Sequence, residues 1–293
     1  MSEPPGEDGS SDALASYTPE EPTPPATEPS PTNEDDLGLE GPPADEEMPL
    51  TEHIEEMLRR LTIVLVAAGL VGLVALPLSD ELIINMWYDV HTGTVDPCML
   101  QPAAEGCAPP HLYGPIEFPL MRLRVAGLAG LLVAMPVAVY QTYRFMRPGL
   151  YPNERKYYLA SVPLSLILGV LGVLFAYFAL LPLLFAYFIH YSDVQGAVEL
   201  AFQLKDTLNL MLIMMGMLAV IFQIPLMTML AVMMGITSRA WLESRRLYFW
   251  GAFGGIAFFF GPDPTGMAPL LLAVTMIVLF EGTLVLLRWT GRG

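Results

Sequence analysis

The chain has 293 residues, of which 54% are hydrophobic and only 15% charged, with a mean hydropathy of +0.49. Soluble domains carry about 25% charged residues, so this composition excludes an ordinary soluble protein and places the chain in a membrane. The net charge of −16 is local: residues 1–50 hold 14 acids and no Lys or Arg, the remainder balances sixteen acids against fourteen bases, and no basic cluster points to nucleic acid.

Residues 1–47 consist mainly of Pro, Glu, Asp, Ser and Thr. Such a segment has little to bury and its like charges repel, so it is predicted to be a disordered acidic cytoplasmic tail. It has neither the positive start nor the apolar stretch of a secretory signal. Residues 48–293 are predicted to form the membrane domain. A spanning helix needs about 20 mostly apolar residues, and six segments qualify or nearly so: Leu61–Leu78, Phe118–Tyr140, Tyr157–Ile189, Leu208–Gly235, Leu247–Gly261 and Met267–Leu287. Backbone groups in lipid must be satisfied within the segment, so all six are expected to be helical. The third is too long for one straight crossing and is expected to break at Pro182 and bend into an external loop. The fourth carries Pro225 inside it. The fifth, and the sixth if it stops at Glu281, are predicted to be too short for a core about 30 Å thick.

Orientation follows from the Lys and Arg residues, which gather on cytoplasmic loops. With the N-terminus inside, eleven fall on inner segments; only Arg122, Arg124 and Lys205 fall outside. The fold class is therefore an all-α integral membrane protein with six transmembrane helices, both termini cytoplasmic, and short fifth and sixth helices. Cys98 and Cys107 both lie in the first external segment, Ser79 to Pro115, where a disulfide is possible; two free thiols are the alternative. The outer segments hold ten acids, which fits a saline exterior.

No Gly-rich phosphate loop, no HExxH metal site and no nucleophile motif is present, so neither an enzyme nor a metal or cofactor site is expected. Chemistry concentrates instead on the cytoplasmic face. Glu56 lies on the approach to the first span, and Glu154 lies in the segment Tyr143–Lys156. Two carboxylates on one face suit a basic ligand, because a carboxylate matches a guanidinium bidentately. Positive-inside anchoring, with Glu154 paired to a nearby Arg, explains the same residues without a ligand. Gln223 sits mid-span, where polar groups are costly; it serves either a hydrogen bond to a neighbouring helix or a contact to a partner helix. Glu281 is expected to act structurally with Arg288 or to line a cavity.

These segments, taken in order, resemble the TatC family, the large polytopic subunit of the twin-arginine protein translocase. The resemblance rests on His53-Ile54-Glu55-Glu56 with Arg59-Arg60-Leu61, and on Pro136 followed by Tyr140-Gln141 and Phe145-x-x-Pro148-Gly149-Leu150-x-x-x-Glu154-Arg155. Phe175-Ala176-Tyr177-Phe178 with Pro182, Gly235-Ile236-Thr237-Ser238, Pro262-Asp263 and Phe280-Glu281 extend it. It covers roughly residues 49–288.

The resemblance implies a signal-peptide receptor and core that moves folded precursors across the cytoplasmic membrane on an ion-motive force. Glu56 and Glu154 would accept the paired arginines of the signal peptide, with Phe145, Arg59, Arg60 and Pro148 completing the surface. Gln223 would touch a partner helix, and Pro136, Asp263 and Glu281 would be structural or gating positions. The implied partners are single-span TatA-type subunits, twin-arginine signal peptides, membrane lipid and further copies of the chain. Many relatives carry Glu where Gln223 stands and Arg where Leu58 stands, so an account that needs a titrating carboxylate at 223 fails here. A secondary transporter of a small solute is the alternative, separable because it would bind its solute at mid-membrane.

Overall fold

The computed structural model describes residues 50–92, 113–147, 150–193 and 203–290, all within one compact unit, Pro42–Gly293. Residues 1–47, Pro148, Cys98 and Cys107 lie outside the described residues, and so does the side chain of Glu154.

Among the described residues ten α-helices follow one another: α1 (Leu50–Ala75), α2 (Ser79–Thr92), α3 (Glu117–Met146), α4 (Pro152–Phe175), α5 (Leu181–Asp193), α6 (Leu204–Ile221), α7 (Ile224–Met233), α8 (Arg239–Ser244), α9 (Arg246–Phe260) and α10 (Met267–Trp289). Among the described residues five runs are long and apolar enough to cross a membrane, namely Ile54–Trp87, Glu117–Met146, Arg155–Tyr191, Leu204–Met233 and Met267–Trp289. The sixth apolar helix, Arg246–Phe260, is short. At about 1.5 Å per residue it reaches roughly 22 Å, below the hydrocarbon thickness as expected.

Four expectations change. First, α10 is not short. It continues through Glu281 for 23 residues, because Glu is a good helix former and its carboxylate is taken up by α9: Trp250 Nε1 donates to it at 3.2 Å, and Arg246 lies 3.6 Å away. Glu281 thus pairs with Arg246 rather than with the expected Arg288. Second, the segment expected to be external, from Ser79, begins as helix. A 3₁₀ turn, Leu76–Leu78, leads directly into α2, whose Ile83, Met86 and Trp87 are buried. Their i, i+3, i+4 spacing packs one face of α2 against the core. Third, Pro182 does not break the third span. A π-helical turn, Ala176–Leu180, precedes it and the helix carries on to Asp193. The wider turn accommodates a residue that cannot donate and whose ring crowds the previous turn. Fourth, the fourth span divides at Phe222 and Gln223, leaving Pro225 in the opening turn of α7, where a missing N–H costs least.

Close backbone contacts hold the bundle together. A Cβ on Gly130 would stand 2.6 Å from the Ala68 carbonyl oxygen, so α3 and α1 touch backbone to backbone. A Cβ on Gly172 would stand 2.5 Å from the Leu218 oxygen, so α4 and α6 do the same. The main core lies where α6 meets its neighbours: Leu208, Met211, Met214 and Leu218 are fully enclosed with Met121, Leu181, Leu184 and Leu272. The first helix is peripheral, with 6% of its spanning window buried against 44% for Leu204–Met233.

The last hairpin is locked by side chains. Phe280 is 1% exposed and meets Phe249 and Phe253 at centroid distances of 4.9 and 5.6 Å. Between the two helices, Asp263 caps α10: its carboxylate accepts from Thr265 N at 2.9 Å, from Ala268 N at 3.3 Å and from the Thr265 hydroxyl. A negative charge at a helix start also suits the macrodipole. At the other end of the bundle, α7 closes in a Schellman motif. Gly235 takes φ +69°, Ile236 N donates to Ala231 O at 3.0 Å, and Gly235 N donates to Val232 O at 3.1 Å.

Candidate recognition face

The start of α1, the end of α3 and the start of α4 come together at one end of the bundle. Arg60 lies one helical turn beyond Glu56, the spacing that lets side chains meet. Its Nε donates to Glu56 Oε1 at 3.1 Å, and its Nη2 makes a second bond to the same oxygen. The arginine and glutamate side chains are 17% and 31% exposed, so the carboxylate stays reachable. Glu56 Oε2 has no partner among the described residues. The Arg60 guanidinium also lies 6.0 Å from the centre of the Phe145 ring, which ties α1 to the end of α3. Arg59 beside it is exposed.

A groove of about 330 Å³ opens between α1 and α3, bounded by Met57, Arg60, Leu61, Gln141 and Phe145. Gln141 is 8% exposed, and its Oε1 has no partner among the described residues. Sequence reasoning assigned Gln141 no role; the signal was present as an amide inside the apolar run Val137–Tyr143.

The segment after α3 is held down at both ends. Leu150 is buried against Tyr158, Val139, Leu226 and Leu230. Arg155 Nε donates to the Leu150 carbonyl at 3.0 Å, and Tyr143 and Tyr158 approach to 5.7 Å between ring centroids. Glu154 belongs to the first turn of α4, at the same end of the bundle as Glu56. The face therefore offers carboxylate oxygens beside an aromatic ring and an apolar groove. Such an arrangement can accept a cationic, partly apolar ligand. Among the described residues no group of three His, Cys, Asp or Glu is placed to hold a metal ion.

Other expected positions lie apart from this face. Gln223 sits at the α6–α7 break. Its Nε2 reaches the Ser165 carbonyl at 3.0 Å, the Ala219 carbonyl at 3.4 Å and Met135 Sδ at 3.3 Å. One end of the amide is thus engaged within the bundle, while Oε1 has no partner among the described residues. Pro136 lies inside the unbroken α3, next to Met135. Asp263 and Glu281 bind the last hairpin as described above.

The fold defines a multi-pass helical membrane protein with a cluster of polar and aromatic side chains at one end. The chain belongs to the family described as Sec-independent protein translocase protein (TatC), whose profile matches residues 52–274. Members of that family are components of a protein translocase. TatCo, a Sec-independent protein translocase protein of Haloferax volcanii, is 54% identical over 276 residues; the match covers 89% of this chain and 62% of that longer protein. TatC of Methanocella arvoryzae is 35% identical over 248 residues, covering 85% of this chain and 97% of the relative. A crystal structure of the twin-arginine translocase receptor TatC shares the fold, with a TM-score of 0.65 at 22% identity, over 82% of this chain and all of the other.

Proposed function

We propose that this protein is the signal-peptide receptor and core of a twin-arginine translocase that exports folded precursors across the cytoplasmic membrane on an ion-motive force. The observation that carries this reading is the meeting, in a TatC-family chain, of the Glu56–Arg60 pair, Phe145 and the first turn of α4 at one end of the bundle. Glu56 and Glu154 receive the two arginines of the signal peptide. Arg60 holds Glu56 in place and Phe145 supports Arg60, while Arg59 and Pro148 complete the rim. This face is the cytoplasmic one, with both termini on that side, since eleven of the fourteen Lys and Arg residues then lie inside. Single-span TatA-type subunits and further copies of the chain assemble on the core, with Gln223 as a contact. The short α9 thins the bilayer around it and eases that assembly.

The test is binding of an Arg-Arg signal peptide to the detergent-purified full chain, beside a Lys-Lys control, at low and high salt. Selective Arg-Arg binding, lost in Glu56→Gln and in Glu154→Gln, is expected. Equal binding of both peptides, or unchanged selectivity in the double variant, overturns the site.

A further inference from the structure

We infer that the end of the bundle opposite Glu56 carries a seat for one anionic phospholipid, with its phosphate on Arg124 and an acyl chain lying between α3 and α6. Three Lys or Arg residues occupy that end, and they are not equivalent. Arg122 is neutralised by Asp80, 2.6 Å away, and Lys205 faces Glu117 at 3.7 Å. Arg124 has only the neutral side-chain carbonyl of Asn209 as partner among the described residues. Asn209 accepts from one nitrogen of the guanidinium and sets its orientation. It leaves the full positive charge and most of the five donors unused. A guanidinium held at the membrane boundary matches a phosphate bidentately, better than an ammonium does.

The space below this cation is apolar and runs between α3 and α6. Arg124 and Asn209 are the only polar side chains on a groove of about 350 Å³ whose floor includes Gly127, Leu131, Ile213 and Gly216. Leu131, Ile213 and Gly216 also line a second cavity of about 540 Å³, closed by Phe260, Leu272 and Met276. The two spaces therefore run on from each other. From Asn209 to Val220 the groove descends about 16 Å along α6, close to half of the roughly 30 Å hydrocarbon core. That is the depth of one leaflet. The unneutralised charge at the rim suits an anionic headgroup, whereas an apolar partner helix would not require it. Glycines keep the floor open: nothing lies within 4 Å of a Cβ placed on Gly127, and one on Gly216 meets only Leu128 and Leu131 at 3.8 Å.

Native mass spectrometry of the detergent-purified full chain tests this, with phosphatidylglycerol, phosphatidylcholine of the same chains, and inorganic phosphate as probes. Wild type is expected to retain phosphatidylglycerol about tenfold better than phosphatidylcholine. Arg124→Gln is expected to bring that ratio near one, and Arg124→Lys to keep part of it. Gly216→Leu, which leaves the charge in place and fills the floor, is expected to lower retention of both lipids. An undiminished preference in Arg124→Gln overturns the headgroup site. Full retention in Gly216→Leu overturns the chain seat. Displacement of the lipid by equimolar inorganic phosphate would reduce the site to a bare anion contact and overturn the proposal.

Discussion

Replacing Gly172 by Ala probes a backbone-to-backbone helix contact in the bundle. The new Cβ would stand 2.5 Å from the Leu218 oxygen, 2.8 Å from its carbonyl carbon and 2.9 Å from Ala219 Cα. All three are backbone atoms of α6, so no rotamer change relieves the clash. Ordinary contact begins near 3.4 Å, so α4 and α6 must part by about 0.9 Å at this point, an overpacking that typically costs about 1–3 kcal/mol. The same shift stretches the 3.0 Å bond from Gln223 Nε2 to the Ser165 carbonyl on α4 beyond hydrogen-bonding range. A bond of that kind in a membrane is worth about 0.6 kcal/mol on average. Ala gains about 1 kcal/mol over Gly in helix propensity, which offsets only part of the loss. Gly172→Ala is therefore expected to be less stable by about 0.6–2.6 kcal/mol in denaturant unfolding at fixed detergent. Gly251→Ala on α9, where nothing lies within 4 Å, keeps the propensity gain without the clash and should be neutral or slightly stabilising. A Gly172→Ala protein as stable as wild type would refute the close packing of α4 on α6.

The remaining expectations concern charged groups. Asp263→Ala removes the bond to Ala268 N in the first turn of α10 and those to Thr265 in the turn before it and should cost about 1–2 kcal/mol, as loss of a helix cap does, whereas Asp263→Asn keeps an acceptor and should lose less; equal losses in thermal unfolding would rule out capping as the cause. Glu281→Gln keeps an acceptor for Trp250 and loses the Arg246 pair. Its effect should stay below about 1 kcal/mol and vanish in 1 M salt, and a larger or salt-insensitive loss would show that the carboxylate has another task. Arg60→Gln removes the partner that holds Glu56 in place, a helix pair worth about 0.3–0.5 kcal/mol, and should weaken Arg-Arg peptide binding about twofold in calorimetry. Tighter binding would instead show that Arg60 competes with the peptide for the carboxylate rather than positioning it.

Much was legible in the chain because lipid leaves the backbone few choices. Each long apolar run must be helical, and the Lys and Arg residues indicate which ends share a side. Glu56 could be singled out as a carboxylate at the edge of the first apolar run, whereas Arg60 and Phe145 were singled out only through the resemblance to the TatC family. The places where sequence reasoning went astray were element ends. Glu281 looked like the end of a span and is an interior residue of α10, Pro182 looked like a break and follows a π turn, and Ser79–Thr92 looked like loop and is helix.

Those three cases share one cause. Composition and hydropathy report each residue's transfer cost as if it stood alone in lipid or water, and so they determine that this chain spans the membrane, roughly where, and which residues carry charge. A partner cancels that cost, and partners come from elsewhere in the chain. Trp250 and Arg246 satisfy Glu281 from 31 and 35 positions away, Asp80 neutralises Arg122 across 42, and Gln223 finds the Ser165 carbonyl across 58. Only the tertiary structure decides which polar groups are already paired. For that reason it alone distinguished Arg124 from Arg122 and Lys205, and revealed Gln141 with an unused acceptor beside the recognition face.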